Sequence, residues 1–190
     1  MRYYMAMFLL LSLTIGCDGD GPLKPGEFED PAFAKCVEKI LQIYIDNNLI
    51  LADDPDKYNK IDMLGCGEGG IRSIKGIENM PNLDEIEIID NEIESLEPLR
   101  TLTKLEFLKL NNNKIKDLEP LSGLTELISL YLYDNYIENI LPLCALTQIH
   151  TVGLSGNCIV DVNQFRELEK CAPEYSSNGA EDYQNPEKCQ

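Results

Sequence analysis

Residues 83–104 read LDEIEIIDNEIESLEPLRTLTK, residues 105–126 LEFLKLNNNKIKDLEPLSGLTE, and residues 127–148 LISLYLYDNYIENILPLCALTQ. Written one under another, the three stretches agree column by column, so the chain repeats with a period of 22. Leu83, Leu105 and Leu127 open the units, and Ile149 opens a fourth. Asn91, Asn113, Asn135 and Asn157 share one column. Around them run Ile86/Leu108/Leu130/Val152, Ile88/Leu110/Leu132/Leu154 and Ile93/Ile115/Ile137/Ile159. The later columns are Leu96/Leu118/Ile140/Val162, Leu99/Leu121/Leu143/Phe165 and Leu102/Leu124/Leu146/Leu168, with Pro98, Pro120 and Pro142 beside them. An imperfect unit precedes these, with Leu64, Cys66, Gly69, Ile71, Ile74, Ile77 and Met80 in the same slots.

Each column has a physical reading. An apolar residue at every second position makes a short strand with those side chains inward and the intervening ones outward. The Asn turns the chain, and its amide can satisfy buried backbone groups where an apolar residue could not. Proline fixes φ on the return path, which suits a tight or 3₁₀-like segment. One unit buries too little to offset the ordering of its own backbone, so units must stack and both ends need caps.

The pattern L-x-x-L-x-L-x-x-N-x-I-x-x-L-x-P-L-x-x-L-x-x resembles the leucine-rich repeat, in the 22-residue form of bacterial internalins. The resemblance covers residues 61–168 and implies an α/β solenoid of about five repeats, with short parallel strands on a concave face. Residues 28–51 place Phe33, Val37, Ile40, Leu41 and Tyr44 at helical spacing and resemble the amphipathic N-terminal cap of exported bacterial leucine-rich proteins, which implies a helical cap over 28–60. Cys36 lies on that cap and Cys66 in an inward slot of the first unit, so their pairing would staple the two together. Phe165 and Leu168 sit on a short helical stretch that closes the stack, and residues 169–190 form a C-terminal flank with a disulfide, polar and irregular over 172–190 and tied down by Cys189.

Ahead of the cap, residues 1–16 carry one positive charge at Arg2, an apolar run from Met5 to Ile15, and Gly16 before Cys17. That is a secretory signal. Its apolar run is about half the ~20 residues a membrane-spanning helix needs. Leu13-Thr14-Ile15-Gly16-Cys17 resembles the bacterial lipobox, which implies lipidation at Cys17 and a spacer over 17–27, rich in Gly and Pro. With Cys17 lipidated, Cys36, Cys66, Cys144, Cys158, Cys171 and Cys189 form an even set for disulfides in an oxidising compartment. The alternative is an ordinary secreted protein whose Cys17 joins a disulfide. Among Cys144, Cys158, Cys171 and Cys189 three pairings are open.

A formal charge of −17, from 16 Lys plus Arg against 33 Asp plus Glu, excludes a nucleic-acid partner. A single His, His150, falls in a variable surface column, which leaves triads and multi-His metal sites unsupported. Gly153-Leu154-Ser155-Gly156-Asn157 is explained by the repeat register and does not match the G-x-S-x-G nucleophile elbow. Asp53, Asp54 and Asp56 crowd one loop, but the calcium-loop spacing fails at Tyr58, Asn59 and Gly65. No cofactor, no metal and no catalytic residue is expected.

Outward strand positions carry the functional reading. One column is Gly65, Glu87, Lys109, Tyr131, Gly153, and the next is Gly67, Ile89, Asn111, Tyr133, Ser155. Flanking columns bring Glu85, Phe107, Ser129, Thr151 and Glu68, Asp90, Asn112, Asp134, Gly156. Ile89, Phe107, Lys109, Tyr131, Tyr133 and, beyond the turn, Tyr136 form the candidate partner-binding set, because aromatic side chains anchor interfaces. The expectation is a monomeric, non-catalytic, lipid-anchored protein of the bacterial envelope, periplasmic or at the cell surface, that binds a protein partner. A structural envelope protein without a discrete ligand site is the alternative.

Overall fold

The computed structural model describes residues 28–67, 69–172, 176–177 and 189. The signal at 1–16, Cys17, the spacer at 17–27 and Glu68 lie outside these residues. Five strands follow the 22-residue period: β1 (Met63–Cys66), β2 (Glu85–Ile88), β3 (Phe107–Lys109), β4 (Ser129–Tyr131) and β5 (Thr151–Gly153). They pair in parallel in chain order, one period per step: Leu64 with Ile86, Ile86 with Leu108, Leu108 with Leu130, Leu130 with Val152. The flank read as irregular adds a two-residue sixth strand, β6 (Ser176–Ser177), to the outer edge of β5. A free β5 would leave a row of backbone groups unpaired, which such a strand partly covers.

The inward columns build the core. Leu83, Ile86, Leu108, Leu130, Leu132, Ile137 and Leu154 are all fully buried. Where prolines stand on the return path, 3₁₀ turns form at Glu97–Leu99, Glu119–Leu121 and Leu141–Ala145, each with Pro in its first turn. Val162 departs from its column: it is 52% exposed, whereas Leu96, Leu118 and Ile140 are buried. At Val162 the chain leaves the period to start a helix, so the slot no longer faces the core.

Between strand and return path runs a ladder of asparagine amides. The Asn135 Oδ1 accepts from the Ile115 N–H at 3.1 Å, one unit back. Its Nδ2 donates to the carbonyls of Leu110, Leu132 and Tyr133 at 2.9, 3.2 and 3.2 Å. Asn91, Asn113 and Asn157 accept in the same way from Ile71, Ile93 and Ile137. Each amide thereby satisfies backbone groups of its own unit and of the preceding one, which buried turns require. The residue before each Asn is left-handed: Asp90, Asn112, Asp134 and Gly156 have φ of 58°, 54°, 55° and 78°. Asp, Asn and Gly are the residues that tolerate this conformation.

Both ends are closed by helices. Helix α1 (Pro31–Asp46) turns Phe33, Val37 and Leu41 to the core, with proline in its first turn. Asp30 caps it, its Oδ1 accepting from the N–H groups of Ala32 and Phe33 at 2.8 and 3.2 Å. Its other oxygen accepts from Arg72 and Ser73 N–H at 2.7 and 3.2 Å, which ties the cap to the first unit. A disulfide joins Cys36 to Cys66. Helix α2 (Asn163–Cys171) buries Phe165 and Leu168. Disulfides join Cys144 to Cys171 on α2 and Cys158 to Cys189 in the flank. Gln164 on α2 accepts from the Ile140 N–H at 2.8 Å and donates to the Glu138 carbonyl at 2.9 Å, extending the ladder beyond the last Asn.

Candidate binding face

The strand register sets the outward columns side by side. Glu87 stands opposite Lys109, Lys109 opposite Tyr131, and Tyr131 opposite Gly153. Two chemistries result along one face. Over β2 and β3, Lys109 reaches Glu87 at 2.7 Å and Glu85 at 3.5 Å. The hydrogen bond that Lys109 donates to Glu87 holds its ammonium above its ordinary pKa, and the charges of the two carboxylates reinforce it. That cation is therefore engaged within the protein.

Over β4 and β5 the surface is aromatic. The rings of Tyr131 and Tyr133 lie with centroids 6.1 Å apart and planes tilted by 33°. Tyr133 rests directly over Gly153: a Cβ there would come within 2.3 Å of the Tyr133 Cζ. A side chain of any size at that place displaces the ring, so the glycine is a floor for it. The Tyr133 backbone is fixed in turn by its N–H, which donates to the Asn111 Oδ1 at 3.0 Å. Phe107 is 37% exposed on the same face, across from Glu85 and Ser129 in the register. Ile89 is half-buried in the column of Tyr133.

Tyr136 belongs to another surface. It lines a small groove with Glu94, Lys114 and Lys116 on the turn side. Next to it a shallow depression of about 640 Å³ is lined by Arg72, Ser73, Glu92, Glu94, Ser95 and Lys114. Its cations are already paired: Glu92 meets Lys114 at 2.8 Å and Arg72 at 3.3 Å. The hydrogen bond from Lys114, with the charges of both partners, holds the Glu92 carboxyl below its usual range.

Elsewhere, Asp54 pairs with Lys60 and accepts from the Asp56 N–H, so the acidic loop closes on itself. His150 is exposed, its Nδ1 2.7 Å from the Gln148 carbonyl. Leu154 and Asn157 are buried in the ladder. Among the described residues no cluster of three His, Cys, Asp or Glu is arranged to hold a metal, and no helix is long and apolar enough to cross a membrane. The role of Gly153 under Tyr133 was missed in the sequence, although a glycine in a column of Glu, Lys and Tyr was its visible sign.

The family described as Leucine Rich repeats (2 copies) matches at residues 81–123 and again at 103–145. Together with the parallel sheet and the ladder, these matches define the class: a leucine-rich repeat solenoid with an N-terminal helical cap. More particularly, the structure is similar to that of an internalin (inlF) from Listeria monocytogenes, with a TM-score of 0.67 and 26% identity. That match covers 80% of this chain and 43% of the internalin, so the chain spans less than half its length. Internalin C2 of the same organism matches at a TM-score of 0.56 and 26% identity, covering 86% of this chain and 80% of its own. A leucine-rich repeat protein of Leptospira interrogans shares the fold at 21% identity and a TM-score of 0.56, covering 67% of this chain and 34% of its own. No curated protein matches by sequence.

Proposed function

We propose that this chain is a non-catalytic binding module that recognises a protein partner through the outward face of its strands. The observation that carries the reading is the Tyr131/Tyr133 pair seated over Gly153, with Phe107 exposed nearby. Tyrosine offers a large contact area at little entropic cost, and such residues dominate interface energetics. Leucine-rich repeats are commonly protein-binding modules, and the fold leaves this face open.

The protein acts outside the cytoplasm, attached by lipid at Cys17 and held off the membrane by the 17–27 spacer, as a monomer. Three disulfides and the likeness to internalins support an oxidising, extracytoplasmic setting. The anchor is tested by labelled fatty acid: wild type should incorporate it and Cys17→Ala should not.

Crosslinking in intact cells tests the binding face. Full-length protein should capture a partner that Tyr131→Ser/Tyr133→Ser fails to capture, with thermal stability nearly unchanged. Equal capture by both would return the protein to a structural envelope role, and a collapse of folding would make the tyrosines structural.

A further inference from the structure

The face that carries the tyrosine pair is markedly uneven in charge. Asp84 and Glu106 are exposed where β2 and β3 begin, Glu85 and Glu87 point outward from β2, and Asp90 and Asp134 are exposed where the strands end. Against these stands Lys109, already held by Glu87 and Glu85. Among the described residues no lysine or arginine pairs with Asp84, Asp90, Glu106 or Asp134. The turn side is built differently, since Glu92 there gathers both Arg72 and Lys114. Charge is thus balanced along the turns and left unbalanced along the strands.

We propose that the partner presents a cationic segment, rich in Arg or Lys, to the Tyr131/Tyr133 pair and its carboxylate rim. This rests on the binding-face reading above and specifies the chemistry of what binds there. The two features are complementary. Tyrosine ring faces attract guanidinium and ammonium groups through the ring quadrupole. Carboxylates within a Debye length steer a basic segment toward the rings and disfavour acidic ones. The missing side chain at Gly153 leaves the Tyr133 ring its place over β5, and a planar guanidinium stacks well on an aromatic face. A chain of charge −17 attracts any polycation to some extent, so the decisive quantity is where the charge acts.

The test uses full-length protein in detergent and a fluorescein-labelled decapeptide of alternating Arg and Gly, beside the same peptide with Gln for Arg. Anisotropy is read at about 50 mM salt, where screening is weak. The Arg peptide should bind tighter than the Gln peptide by about tenfold or more. Asp84→Asn/Glu106→Gln/Asp134→Asn should weaken it about tenfold, while Asp117→Asn/Glu119→Gln/Glu138→Gln, an equal loss of charge away from the strands, should change it less than about twofold. Gly153→Ala keeps every charge but lifts the Tyr133 ring, and it should also weaken binding. Equal losses in the two triple variants, or equal binding of the two peptides, would overturn the proposal. If crosslinked capture in cells still depends on the tyrosines in that case, the binding face stands and only its cationic partner is lost. If capture does not depend on them, both fall.

Discussion

Between β2 and β5 the solenoid is stitched by uncharged amides, each reaching back one unit; at its two ends it is stitched by disulfides and a carboxylate. Asn113, Asn135 and Asn157 accept from residues 20 positions earlier, and such a bond needs an earlier unit to exist. The first unit has none, and Gly69 stands in its Asn slot. There the cap reaches forward instead: Asp30 accepts from the N–H groups of Arg72 and Ser73, next to the Ile71 N–H that Asn91 already holds. Cys36–Cys66 then locks that contact, while Cys144–Cys171 and Cys158–Cys189 do the same behind the last strand. An interior unit is held by two neighbours, whereas an end unit has one and makes up the difference with covalent bonds.

The sharpest way to break this comparison is to move one substitution between the two places. Asn135→Ala strands several buried backbone groups and should cost about 3–5 kcal/mol. Gly69→Asn, in the same slot of the first unit, should change stability by less than about 0.5 kcal/mol. Urea unfolding of both variants reads the contrast, and similar losses would mean the slot matters by itself rather than through its upstream neighbour.

Removing the N-terminal staple comes next. Cys36→Ala/Cys66→Ala opens a link between residues 30 apart in sequence, for which chain entropy alone corresponds to about 2–4 kcal/mol. Hydrogen exchange should speed up in α1 and β1 while β3 and β4 keep their protection. Uniform loss along the whole chain would show that the ends and the middle unfold as one.

The smallest effect is set by pH. Partial burial acts to raise the Asp30 pKa, but the N–H donors of Arg72, Phe33, Ala32 and Ser73 outweigh it, and the pKa lies below the ordinary 3.8. A depressed carboxylate contributes stability that is fully present above its unfolded value, near 3.8, and is lost as pH falls through the lower folded value. The Asn ladder carries no titrating group. Below pH about 4, then, the cap should loosen before the middle, and Asp30→Asn should flatten that dependence. Amide exchange of α1 against β4 measures it, and parallel acid profiles in wild type and variant would rule out Asp30 as the cause.

Much of this was legible in the residues because a repeat converts a sequence distance of 22 into one strand spacing. Whatever keeps the period can be read by column: the inward Leu and Ile, the Asn ladder, the proline-led 3₁₀ turns, and the order of Glu87, Lys109 and Tyr131 across the face. The helical cap was legible from its own 3.6-residue spacing. Legibility ended where the period ended. Val162 keeps its column in sequence but not in space, and the flank adds β6 where no strand pattern stands.

The sequence by itself therefore determined the solenoid, its core and the columns of its open face, since those follow from local periodicity and burial. Only the tertiary structure decided which of Cys144, Cys158, Cys171 and Cys189 pair, because their approach depends on the path of α2 and the flank outside the register. It alone set Gly153 under the Tyr133 ring and brought Asp30 to a backbone more than forty residues away. Such contacts join atoms whose sequence separation follows no period, and only the folded path of the chain brings them together.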